Sequence, residues 1–210
     1  MQGEAVIRTT PEDMLISIPI EVKDKEYKAT SDKLIRTYND LLDALVKVGL
    51  DRDTLKSNSL QITEDYNYLD RERKLVGYVG RIQLIIDMHH DTPMLQNIMR
   101  TLADERFRFG YRLNFKLSKS QEDSLTAEAI RKATYDARRK AQILAGEMDV
   151  RVLEIKEINY EYDQPGGGIP VYREEMMMSK QADSQGGDLT LTPQEIEMRK
   201  VVRVIWGIGK

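Results

Sequence analysis

Between Asp13 and Lys23 every second residue is apolar: Met14, Ile16, Ile18, Ile20 and Val22. Side chains of an extended chain alternate between two faces, so a period of two describes a strand with one face buried and one open. A sheet of such strands has to be covered on one side, and the next segment supplies a cover. From about Thr30 to Val48 the apolar positions are Leu34, Tyr38, Leu41, Leu45 and Val48, three or four residues apart. That spacing builds a helix with one apolar stripe, and Gly49 stands where a helix end favours a residue free to adopt positive φ. The chain is thereby steered toward helices laid on a sheet.

The two periods go on alternating. Glu4 to Thr9 is a strand leading through Thr10-Pro11-Glu12 into the one above. Leu55 to Leu69 and Leu75 to Met88 read as a hairpin around Asp70-Arg71-Glu72-Arg73, with Tyr78, Gly80, Ile82, Leu84, Ile86 and Met88 on one face. Thr92 is the expected N-cap of a second helix, with Pro93 in its first position and a stripe of Leu95, Ile98, Met99 and Leu102. Arg108 to Ser118 alternates again. The longest helix is expected from Ser124 to Met148, its buried stripe being Ile130, Ala133, Ala137, Ala141, Leu144, Ala145 and Met148. Val150 to Tyr162 returns as a strand. Gln164 to Asp188 has the chemistry of a mobile loop, and Glu195 to Ile208 closes the chain as a strand. The order is ββαββαβαββ, which predicts an α+β fold of mainly antiparallel sheet with three helices, read as a single domain over 1–210.

Composition enters as a set of exclusions. The 32 basic and 35 acidic residues are spread along the chain, leaving no electrostatic footprint for nucleic acid or an anionic membrane. No cysteine is present, which removes disulfides, thiol catalysis and thiolate metal sites together. No run of about 18 apolar residues is available to span a bilayer as a helix. Met1-Gln2-Gly3-Glu4 lacks the basic start and apolar stretch of a signal peptide, so an exported form of this protein is expected to have had its leader removed.

The candidate chemistry is sparse. His89-His90-Asp91 holds both histidines, and a His/Asp set is able to ligate a metal, but neighbours on a strand point to opposite faces. The same two histidines are the only ones a nucleophile triad has to use. Gly166-Gly167-Gly168 lacks the Lys-Ser/Thr and following helix of a phosphate loop. Arg138-Arg139-Lys140 lies in a stretch, Gln121 to Met148, whose five basic residues are matched by five acidic ones, a solvated helix face. Glu174-Glu175 and Glu195 with Glu197 have no apolar surroundings to raise a carboxyl pKa. Trp206 shares its face with Val202, Val204 and Ile208 and reads as core or interface. Met176-Met177-Met178 offers thioethers that suit soft metals or adaptable contacts, and of these packing or self-association is the simpler use. With Tyr172 these methionines are the candidate self-association residues. No catalytic residue, cofactor or metal site is assigned.

Several stretches, in order along nearly the whole chain, resemble the SIMPL family. They are Pro11-Glu12-Asp13 before the alternating strand, Gly49-Leu50 followed by Ser57 to Asp65 and Tyr66 and Tyr68, and Val76-Gly77-Tyr78 opening a strand. Ala129-Ile130-Arg131-Lys132-Ala133 with Asp136 to Ala141 and Leu144-Ala145 resembles the family's alanine-rich helix. The methionine run, then Leu191-Thr192-Pro193-Gln194-Glu195-Ile196 and a valine-rich strand, is similar to how members end. Two departures stand out: the family's first-strand glycines are missing, and Asp149 occupies the place of a glycine after the long helix. The resemblance implies a bacterial cell-envelope protein of the periplasm or outer-membrane side with no established enzymatic activity. It also implies links to oxidative stress and to ring-like or channel-like self-assembly. The expectation is therefore a non-enzymatic homo-oligomer that contacts itself or other envelope proteins, with periplasmic binding of a small ligand or soft metal as the alternative.

Overall fold

Strand and helix periods lie where the sequence puts them, but the strands are shared between two sheets. A computed structural model describes residues 1–69, 72–107, 109–160 and 191–210, without the side chains of 68, 69 and 72. Its elements are β1 (Gln2–Thr9), β2 (Asp13–Asp24), α1 (Tyr27–Lys47), β3 (Leu55–Leu69) and β4 (Glu72–His89), then α2 (Thr92–Leu102), β5 (Arg112–Lys116), α3 (Lys119–Glu147), β6 (Arg151–Tyr160) and β7 (Ile196–Gly209). This is an α+β fold in the expected order. One sheet runs β3-β4-β2-β5 and the other β1-β7-β6, with every described pairing antiparallel. The residues sort into two compact units, one around each sheet.

In the four-stranded unit the alternation of β2 is realised in full. Met14, Ile16, Ile18, Ile20 and Val22 are all buried, together with Ile82, Leu84 and Ile86 of β4. Leu34, Leu41, Leu42 and Leu45 of α1 and Leu95, Ile98 and Leu102 of α2 close over them in one apolar cluster. Each such side chain contributes on the order of 1.5–3 kcal/mol by leaving water. α1 begins a turn before the expected Thr30, and at its end Gly49 takes φ +105°. There Leu50 N–H donates to Leu45 O at 3.2 Å and Gly49 N–H to Val46 O at 3.0 Å, the paired bonds of a Schellman end. α2 corrects the sequence reading by one residue: Asp91, not Thr92, is the cap, its carboxylate accepting from Met94 N–H at 3.0 Å. β5 is shorter than its alternation suggested, a single-turn helix at Glu105–Phe107 preceding it.

In the three-stranded unit α3 lies on β1, β7 and β6. It starts at Lys119, five residues ahead of the expected Ser124, because Ser118 and Gln121 form a capping box. Ser118 Oγ accepts from Gln121 N–H at 3.1 Å, and Ser118 N–H donates to Gln121 Oε1 at 3.3 Å. The buried row is Ala129, Ala133, Ala137, Ala141 and Ala145, while Leu144 and Met148 of the expected stripe are exposed and Ile130 is half-buried. A row at every fourth residue slants across the helix axis by about 26°, so it matches a crossing of helix over strand rather than a face parallel to the axis.

The reason for alanine is Gly3. A β-carbon there would lie 2.0 Å from Ala133 O and 2.4 Å from Ala137 N, so strand and helix backbones touch. Gly3 belongs to β1. Glu4 N–H donates to Asp136 Oδ2 at 3.1 Å and strengthens the same contact. Beyond the helix Asp149 sits at φ +51°, the only non-glycine positive φ among the described residues, so an aspartate makes the left-handed turn where family glycine was expected.

Candidate functional site

β6 is an edge strand, paired with β7 on one side and with no neighbour on the other among the described residues. Edge strands ordinarily keep apolar side chains away from solvent, because their free N–H and C=O groups invite another strand. β6 does not: Leu153, Ile155 and Ile158 are 48%, 54% and 60% exposed, and beside them Ile205 and Ile208 of β7 are exposed too. The register slips twice, between Val152 and Ile155 and between Ile155 and Glu157, so β6 carries extra residues relative to β7 and bends. Gly207 and Gly209 make room for this. A β-carbon at Gly207 would lie 3.0 Å from Glu154 Oε1 and 3.2 Å from Lys156 Cε, and one at Gly209 would meet Leu153 Cδ1 at 3.0 Å. Trp206, level with Ile155, is half-buried against the cluster of Ala5, Ala133, Ala137, Val202 and Val204. The sequence reading of Trp206 as core or interface agrees with that position, although Ile208 on its face is open.

The sequence contained a signal for this edge. Val152, Leu153, Ile155 and Ile158 are spaced one, two and three residues apart, which fits neither strand nor helix periodicity. A bulged strand produces that pattern because each extra residue shifts the alternation.

The histidines separate as their neighbouring positions implied. His89 Nδ1 is 3.3 Å from Asp13 Oδ1 across the β2–β4 pairing and is largely exposed. His90 N–H donates to Glu12 O at 2.7 Å, and its ring meets Phe115 edge-on at 5.2 Å, with Nε2 buried and without a hydrogen-bond partner. Beside His89, Lys116 and Asp87 form an ion pair of 2.8 Å. Among the described residues no group of three or more His, Asp or Glu side chains is placed to hold a metal ion.

The perturbed ionisable groups are pairs on the surface. Hydrogen bonds from Arg106 hold Asp104 down to about 2, and the same carboxylate raises Arg106. Lys132 lowers Glu128. Lys140 lowers Asp136, helped by Glu4 N–H. Tyr66 is raised by its hydrogen bond to Glu64. Each shift strengthens the protonation state that the group already has near neutral pH. Glu197 is paired with Arg8 at 3.1 Å across the β1–β7 register.

Tyr172, Met176, Met177 and Met178, with Gly166–Gly168 and Glu174-Glu175, lie outside the described residues. No described helix is long and apolar enough to cross a membrane. A family model for SIMPL, a protein of unknown function (DUF541), matches residues 1–206. No curated protein matches the chain.

Proposed function

The chain belongs to the SIMPL family, and from that premise we propose that it is a non-enzymatic protein of the bacterial cell envelope that works by associating with copies of itself or with other envelope proteins. The observation that carries this reading is the apolar edge of the three-stranded sheet, where Leu153, Ile155 and Ile158 stand open to solvent on an unpaired strand. Such an edge is a liability in a protein that remains alone, and contact with another chain would cover it. Residence in the periplasm and a part in tolerance of oxidative stress belong to the proposal through the family resemblance.

Light scattering coupled to size-exclusion chromatography tests association on the intact chain and on a chain lacking 171–188. An assembly in both cases places the contact outside 171–188. An assembly that dissociates on deletion assigns it to the methionine segment. A monomer of 24.3 kDa in both overturns self-association.

A further inference from the structure

We infer that a second copy of the chain docks on the face of β6 that α3 leaves uncovered, and that it docks with the end of its own α3, each copy covering the other about a two-fold axis. This rests on the self-association reading above and names its surface.

The register between β6 and β7 sorts the side chains by face. Val152, Ile155, Ile158 and Tyr160 are partners of Ile208, Trp206, Val204 and Val202. Paired residues share a face, and Val202 and Val204 are buried in one cluster with Ala133 and Ala137, so this row lies on the side of the sheet that carries α3. The cover stops at β7: Val204 is 1% exposed, while its partner Ile158, one strand further out, is 60% exposed. A helix is about 10 Å across and strands lie about 4.8 Å apart, so one helix covers two strands. α3, pressed against Gly3, takes β1 and β7. Ile155 and Ile158 of β6 and Ile208 at the end of β7 are left beside it as an open apolar shelf. The two bulges turn Glu154 and Lys156 to the other face, across Gly207, and they interrupt regular pairing along the free edge. The shelf is therefore offered to a partner that lies on its face rather than to an added strand.

The occupant is indicated by the rest of the same unit. Apolar periodicity predicts Leu144 and Met148 in a buried stripe, yet both are exposed, and with Ile143 they make the last two turns and C-cap of α3 an apolar end. One unit thus presents both an uncovered strand and an uncovered apolar helix end. In a two-fold contact residue i meets residue j while j meets i, so the helix end of each copy, laid on the shelf of the other, covers both surfaces twice. Ile143, Leu144, Met148, Ile155, Ile158 and Ile208 together expose roughly 600 Å² per copy, against the ~800 Å² that each partner of a stable interface buries. They supply the apolar centre of such a contact and leave its rim to polar residues.

The test uses the full chain, read by sedimentation velocity over a range of concentrations. Ile158→Lys puts an ammonium group on the shelf and Leu144→Lys puts one on the helix end, and each is expected to raise the dissociation constant of the pair at least tenfold. Leu75→Lys, at an equally open residue of the other unit, is expected to leave it unchanged. Far-UV circular dichroism melts matching those of the unaltered chain show that the variants fold. Because the chain has no cysteine, Leu144→Cys and Ile158→Cys chains can also be mixed and treated with a short bis-maleimide. A cross-linked peptide pair joining the two positions is expected, and none from a mixture of Leu144→Cys with Leu75→Cys. Weakening by only one of the Ile158→Lys and Leu144→Lys variants, or an associated mixture that yields no cross-link, overturns the reciprocal contact. Association that persists unchanged through both variants overturns this surface but leaves self-association standing. An unaltered chain that is monomeric at every concentration overturns both.

Discussion

Gly3→Ala is the sharpest test of how α3 rides on the sheet. The added methyl would lie 2.0 Å from Ala133 O, 2.4 Å from Ala137 N and 2.7 Å from Ala137 Cβ, against an ordinary contact of 3.4–4 Å. Two of the three atoms are backbone, so no rotamer change relieves the clash, and β1 and α3 have to part by more than about 1 Å. Peeling Gly3 off the sheet is no cheaper, because its register partner is Val202, which is buried with Val204 under the same helix. Overpacking of this kind costs about 1–3 kcal/mol, and a backbone clash belongs at the upper end. At roughly 2–4 °C per kcal/mol for a chain of this size, the midpoint of the thermal transition that melts α3 falls by about 6–12 °C. Gly146→Ala is the matched control. It lies near the end of α3 with nothing within 4 Å of its added methyl, and it should stabilise by about 0.5–1 kcal/mol. Differential scanning calorimetry of both variants against the unaltered chain gives the answer. A midpoint for Gly3→Ala within 2 °C of the parent would refute the close approach of strand and helix.

Three further outcomes follow from the same contacts. Ala137→Leu, at a fully buried position opposite Gly3, is expected to destabilise by about 1–3 kcal/mol in urea unfolding. Asp149→Gly relieves the left-handed turn and should raise stability by about 0.5 kcal/mol, read as a higher urea midpoint at unchanged slope. Asp136 has a folded pKa below its ordinary 3.8, so its contribution is present above that value and is lost as pH falls through the lower folded one. Asp136→Asn should therefore melt earlier at pH 7 and lose less of its midpoint between pH 5 and pH 3 than the parent does, as circular dichroism melts at each pH will report.

The order of elements was legible because apolar periodicity records which face of each strand or helix is buried. It does not record which strand lies alongside. β1 and β2 are separated by three residues yet join different sheets, and β1 pairs with β7 at the far end of the chain. The early start of α3 was written in Ser118 and Gln121, but Ser118 ends a stretch with strand-like alternation, and the alternation outweighed the cap. The stripe was misjudged for a related reason: bulky Leu144 and Met148 suit an apolar face by size, whereas the row that lies on the sheet is alanine at every fourth residue, with Ala133 and Ala137 held against Gly3. At the candidate site the sequence drew attention to the methionine run, because three thioethers in a row are conspicuous. The β6 residues were read as a strand but not as a site, because their meaning depends on β6 lying at an edge, which only the strand pairing reveals.

Hydrogen–deuterium exchange of the β6 amides at low and high protein concentration tests the edge most directly. If a second copy covers this strand, amides between Val152 and Ile158 gain protection as concentration rises, while those of β1, the opposite edge, do not change. Exchange of the β6 amides at one rate across the whole range would contradict association through this edge.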